Sequence, residues 1–139
     1  MSDTALARDE SALKVTFLIA YGLFALAAMN GLTAIAGIVL VYLKRDEARG
    51  TLWESHARNL QWVFWASVAV AIIGLVALGF GLGGLLFEMA HTDGNPREPY
   101  LIGLVWRFAA AHVALLGFAI WYIYRVLRGF IRGIESKPY

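Results

Sequence analysis

Three long apolar runs, separated by short charged stretches, organise the chain. Val15–Leu43 holds no formally charged residue, and neither does Trp62–Phe87. Tyr100–Tyr124 is interrupted only by Arg107 and His112. A helix needs about 20 mainly apolar residues to span the ~30 Å hydrocarbon core of a bilayer. The pattern therefore predicts an all-α integral membrane protein with three transmembrane helices, crossing at about 15–43, 62–87 and 100–124, in a single membrane domain over 1–139. The first run would reach about 43 Å as one helix. It is too long for a single upright crossing and too short for two. It is expected to be one tilted or broken crossing, with any break at Asn30-Gly31.

The polar punctuation supports these boundaries. Lys44-Arg45 closes the first run, and the turn KRDEARG follows. Thr51-Leu-Trp-Glu54 has the form of a capping box, in which Thr51 and Glu54 satisfy each other's backbone N–H. Glu54 and Arg58 stand four apart, in the favourable order for a helical ion pair. Glu88–Pro99 is the one long polar connection and contains two of the three prolines. After Tyr124, Arg125, Arg128 and Arg132 share one helical face and Leu127, Ile131 and Ile134 the other. That predicts an amphipathic cytoplasmic extension over 125–136. Trp53, Trp62, Trp65, Trp121, Tyr122 and Tyr124 are expected near one membrane face, as an interfacial belt or, for any one of them, in ordinary aromatic packing.

Composition narrows the class further. Apolar residues make up 60% of the 139 and charged residues 16%, against about 45–50% and about 25% in soluble domains. Disorder, a collagen-like repeat and a coiled coil are excluded. The chain has no cysteine, which removes disulfides, thiolate metal sites and cysteine nucleophiles. The net charge of +2 is small, and the basic residues sit at the ends of apolar runs, so no nucleic-acid partner is implied. Their distribution sets a threading. Residues 44–60 and 125–139 carry eight Lys/Arg, whereas 1–14 and 88–99 carry only Arg8, Lys14 and Arg97. Basic residues concentrate on the cytoplasmic side. The expected orientation is N-out and C-in; a re-entrant hairpin over 15–43 would instead bring the N-terminus to the cytoplasm.

Candidate chemistry is sparse. Gly79-Phe-Gly81-Leu-Gly83-Gly84 fits G-x-G-x-x-G, but no strand precedes it and no βαβ unit surrounds it, as a dinucleotide site requires. Gly79/Gly83, Ala27/Gly31 and Thr33/Gly37 read better as small-residue pairs that let helices approach. His56, His91 and His112 fall at three different depths and cannot converge on one metal. Ser55 and His56, as helical neighbours, point about 100° apart and make a poor nucleophile–base pair. No cofactor is implied. Two groups of residues remain. Lys44, Arg45, Thr51, Glu54, His56, Arg58, Arg125, Arg128 and Arg132 form a candidate surface for a partner or for lipid headgroups. Asn30, Arg107 and His112 are candidate intramembrane polar residues. Asn30 and His112 are expected at similar depth and to bond to each other, with Arg107 turned toward Glu88 or the headgroups.

Residues 31–65, GLTAIAGIVLVYLKRDEARGTLWESHARNLQWVFW, resemble a known group of sequences in GLTAI, Lys44-Arg45-Asp46, Gly50-Thr51, Glu54-Ser55-His56 with Arg58, and Phe64-Trp65. The ending Gly133–Tyr139 is similar too. The group is the small bacterial inner-membrane proteins of the Tic-twenty-like family, named for a chloroplast import component. Roughly two fifths of the chain takes part, and Ala57, Asn59, Leu60 and Gln61 depart from the pattern. The resemblance implies a multi-helix bacterial inner-membrane protein and does not extend to protein import. The functional expectation is a small non-enzymatic membrane protein, an accessory or scaffold subunit packing against lipids, itself as a homo-oligomer, or a larger membrane complex. The alternative is a small oligomeric transporter or channel using Arg107, His112 and Asn30.

Overall fold

Glycine 31 decides how the chain begins. The computed structural model describes residues 3–139, with side chains from Asp9 onward, and every regular element in that range is a helix. These are α1 (Asp3–Asn30), α2 (Thr33–Leu43), the short α3 (Arg45–Ala48), α4 (Trp53–His91) and α5 (Glu98–Ile134). Three stretches, Asp9–Asn30, α4 and α5, are long and apolar enough to cross a membrane. The chain divides into two compact units. One is Met1–Ala66 with Ala119–Tyr139, and the other is Ser67–Phe118.

In the first unit, Gly31 takes φ +70°, a left-handed conformation that costs glycine little and other residues more. The chain reverses there and α2 runs back antiparallel along α1. The reversal is internally hydrogen-bonded. The Gly31 N–H donates to Ala27 O at 2.7 Å. The Thr33 N–H donates to Asn30 Oδ1 at 3.1 Å, and the Thr33 hydroxyl to Leu23 O at 2.9 Å. Gly37 allows the close approach, since a Cβ there would stand 2.8 Å from the Phe24 ring. The run 15–43 is therefore not one tilted crossing. It breaks at Asn30-Gly31 and folds back on itself.

A further contact ties α1 to the C-terminal tail. The Lys14 ammonium donates to Ile134 O and to Ser136 Oγ, both at 2.9 Å. The foot of α1 thus lies beside the C-terminal tail.

The core of this unit is a helical stripe. Leu13, Phe17, Ala20, Tyr21 and Phe24 recur at intervals of three or four along α1 and are buried. Trp53, Ala57, Leu60 and Val63 of α4 and Tyr122, Val126, Gly129 and Gly133 of α5 are buried in the same unit. Within lipid, close packing of such side chains rather than their removal from water holds helices together. Phe17 stacks on Trp53 with ring centroids 5.6 Å apart, and the Tyr122 hydroxyl donates to Phe24 O at 2.6 Å. Trp53 and Tyr122 are thus core residues and not members of an interfacial belt, whereas Trp62, Trp65 and Tyr124 are exposed. The end of α5 packs through its small residues, leaving Leu127, Ile131 and Ile134 about half exposed.

The second unit is built differently. Phe80, Trp106 and Val113 are 70–80% exposed, at 80%, 72% and 71%, and most of its other large apolar side chains are also open. Its polar loop is closed by one ion pair. The Glu88 side chain, 8% exposed, receives Arg97 Nε at 2.6 Å and Nη2 at 3.0 Å. The carboxylate raises the proton affinity of the Arg97 guanidinium. Asp93 and Gly94, both at positive φ, turn the chain between these two residues.

At Gly129 a Cβ would collide with the Tyr21 ring, whereas at Gly22 it would meet nothing within 4 Å. Gly129→Ala should lower stability by about 1–3 kcal/mol through overpacking. Gly22→Ala should leave it unchanged or raise it by up to about 1 kcal/mol. Thermal unfolding of both variants in mild detergent checks the contrast.

Candidate functional site

The densest group of polar side chains lies in the first unit, where α4 begins. Thr51 and Glu54 prepare that start, one residue out of the expected box. The Thr51 hydroxyl accepts from the Trp53 N–H at 3.2 Å and donates to Ala48 O at 2.8 Å. The Glu54 carboxylate accepts from the Gly50 N–H at 3.0 Å and pairs with Arg58 at 3.6 Å. Gly50, at φ +73°, makes the turn. Two further pairs hold the preceding segment, Lys44 with Glu47 at 2.7 Å and Arg49 with Asp46 at 3.3 Å. Arg45 is exposed.

One turn into α4, His56 is fully buried. Its Nδ1 lies 3.0 Å from the Tyr21 hydroxyl and its Nε2 2.9 Å from Lys137 O. A carbonyl can only accept, so Nε2 carries the hydrogen; burial lowers the His56 pKa, so the ring is neutral and Nδ1 accepts from Tyr21. Asn59, one further turn along, donates its amide to the Tyr21 oxygen at 3.1 Å. A single buried hydroxyl on α1 is therefore donor to one side chain of α4 and acceptor from another.

The C-terminal tail is drawn into the same group. The Ser55 hydroxyl donates to Leu52 O at 2.8 Å and accepts from the Tyr139 N–H at 2.9 Å. Arg125 Nη1 donates to the Tyr139 hydroxyl at 3.0 Å, and the Tyr139 ring lies 5.3 Å from the Arg125 guanidinium and 5.7 Å from that of Arg128. Arg132 donates to Pro138 O at 2.9 Å, and Arg128 to the Tyr124 hydroxyl at 2.7 Å. The structure thus brings His56, Arg125, Arg128 and Arg132 to one segment, the tail. Ser55 and His56 bond in different directions, and no nucleophile–base contact joins them.

The intramembrane polar residues find local partners. Asn30 serves the turn at Gly31. His112 Nδ1 donates to Phe108 O at 2.7 Å, one turn back on its own helix. Arg107 is exposed, and the Glu88 carboxylate it was expected to meet is held by Arg97. Among the described residues no group of three or more His, Cys, Asp or Glu could hold a metal ion.

Tyr21, Asn59, Lys137 and Tyr139 are the members that sequence reasoning missed. One signal for Asn59 was available. Trp53, His56, Asn59–Leu60 and Val63 repeat at helical spacing before the uniformly apolar stretch begins, which marks an inward face. Tyr21 gave no such signal, because every face of its helix is apolar. Neither a family model, nor a curated protein, nor a solved structure matches the chain.

Tyr21→Phe removes the shared hydroxyl and strands both His56 Nδ1 and the Asn59 amide. A buried polar group left unpaired costs about 1–3 kcal/mol. The variant should unfold at correspondingly lower temperature or denaturant concentration. In combination with Asn59→Leu the loss should be less than the sum of the two single losses, as a double-mutant cycle would measure.

Proposed function

We propose that this protein is a small non-enzymatic integral membrane protein of the bacterial inner membrane, working as an accessory or scaffold subunit. The observation that carries this reading is the exposure of the Ser67–Phe118 unit. Two apolar helical segments present Phe80, Trp106 and Val113 outward. A Cβ at Gly74, Gly79, Gly81, Gly83, Gly103 or Gly117 would meet nothing within 4 Å. Open glycine faces allow another helix to lie close, and packing of this kind drives association in lipid. The side chains best suited to chemistry, Ser55, His56, Tyr21 and Asn59, are meanwhile taken up in joining α1, α4 and the tail. The resemblance of residues 31–65 to Tic-twenty-like inner-membrane proteins favours the same reading.

The C-terminal tail and the 44–60 segment are assigned to the cytoplasm, and the Glu88–Pro99 loop to the outside, from the distribution of basic residues. Arg128 and Arg132, with their aromatic and apolar neighbours, then stand at the cytoplasmic headgroups, where a basic residue near anionic lipid contributes about 1 kcal/mol. Affinity purification of a tagged copy from its native membrane in mild detergent tests the function. The expected result is a stoichiometric second subunit, either another copy or a different membrane protein. Recovery as a monomer that catalyses flux in liposomes would overturn it.

A further inference from the structure

The α1–α2 hairpin has the properties of an element that enters a bilayer and leaves by the same face. Its outer surface is apolar: Leu26, Met29, Leu32, Ile35 and Val39 are exposed, with Met29 at 88% and Leu32 at 72%. No formal charge lies between Val15 and Leu43, while Lys14 stands at one foot and Lys44-Arg45 at the other. Those feet share one end of the hairpin, since α2 folds back along α1 with Gly37 against Phe24, and Lys14 bonds to Ile134 and Ser136 of the tail.

A chain reversal in hydrocarbon must satisfy its own backbone, because lipid offers no hydrogen bonds and each unmet group costs several kcal/mol. This reversal meets much of that demand internally. The Gly31 N–H reaches Ala27 O, the Thr33 N–H reaches Asn30 Oδ1, the Ile35 N–H reaches Leu32 O, and the Thr33 hydroxyl is used on Leu23 O. A turn lying in water would not require Asn30 and Thr33 to be spent in this way, nor Met29 and Leu32 to stand outward.

Depth follows from geometry. The Tyr42 hydroxyl accepts from Trp65 Nε1 at 3.2 Å, and Tyr42, Trp62 and Trp65 are all exposed aromatics of the kind found at headgroup level. From Tyr42 to Thr33 the helix rises about 14 Å. One leaflet of a ~30 Å hydrocarbon core is about 15 Å. Lys14 to Asn30 spans about 24 Å, which falls short of a full crossing that starts at the charged foot.

We infer that α1–α2 is a re-entrant hairpin inserted into the acyl chains of the cytoplasmic leaflet, with Met29–Leu32 near the bilayer midplane and the foot of α1 on the same side as the C-terminal tail. The basic residues fit this threading better than the one expected from sequence. Arg8 and Lys14 join the eight cytoplasmic Lys/Arg, and only Arg97 is left outside, with Arg107 inside the span. The inference rests on the membrane placement proposed above and is independent of the accessory role.

The chain contains no cysteine, so single-cysteine variants can be read one at a time with a membrane-impermeant maleimide on sealed cells and inverted vesicles. Ser11→Cys and Ser136→Cys should label only in inverted vesicles, and Asn95→Cys only on sealed cells. Leu32→Cys, and Met29→Cys as a second probe, should label from neither side until detergent is added. A nitroxide attached at either should collide with oxygen as a midplane site does. All five positions are exposed or partly exposed, and retained thermal stability of each variant confirms folding. Labelling of Leu32→Cys from the Asn95 side means that α1 crosses, and overturns the inference. Labelling from the Ser136 side means that the hairpin lies in water, and also overturns it. A protein recovered in the soluble fraction would refute the membrane reading itself.

Discussion

The hydroxyl group of Tyr21 is the point on which the first unit closes. It stands on α1 but is hydrogen-bonded by two side chains of α4, and its ring lies over a glycine of α5. Each of those neighbours is fixed by the arrangement. His56 must be neutral and carry its hydrogen on Nε2, because its other nitrogen accepts from Tyr21. Asn59 must present its amide nitrogen. Position 129 must be glycine, because no Cβ fits beneath the ring. Burial in a low-dielectric interior strengthens such bonds when all are made and raises the cost of losing one. Through His56 and Lys137 the same closure reaches the C-terminal tail, so helix packing and tail docking are parts of one arrangement.

Several polar groups elsewhere in the chain are handled at short range. Asn30 completes the turn beside it, His112 bonds one turn back along its own helix, and Glu88 and Arg97 close the loop between α4 and α5. The surfaces of the second unit are left mostly apolar, with Arg107 exposed among them. Glycine faces and outward aromatics remain, and these suit lipid and neighbouring transmembrane helices.

The helices were legible from sequence, and so was the place where the first apolar run breaks, because apolar length and the Asn-Gly pair report on local structure. The outcome of the break was not. Whether a chain continues or doubles back at a glycine depends on what the second arm packs against, here Gly37 on Phe24, and no run of apolar residues records that. Trp53 was misread for a related reason. Tryptophan is favoured both at membrane interfaces and in cores, and only Phe17, 36 positions earlier, decides between the two. The basic residues at 125, 128 and 132 were recognised as a set. Their engagement of Tyr124, Pro138 and Tyr139 was hidden, because a charged helix face looks the same in sequence whether it meets lipid, water or the chain's own tail.

The first unit is discontinuous in sequence, and this has a consequence in time. Its α5 face lies beyond Ser67–Phe118, a stretch of 52 residues. At about 5–20 residues per second of synthesis, roughly 3–10 s separate the appearance of Ala66 from that of Ala119. Throughout that interval Phe17, Tyr21 and Phe24 have their α4 neighbours but not Tyr122, Val126 or Gly129. The core cannot be completed until the intervening hairpin has emerged and been threaded. Maturation is thereby ordered, with α5 closing a structure that α1 began.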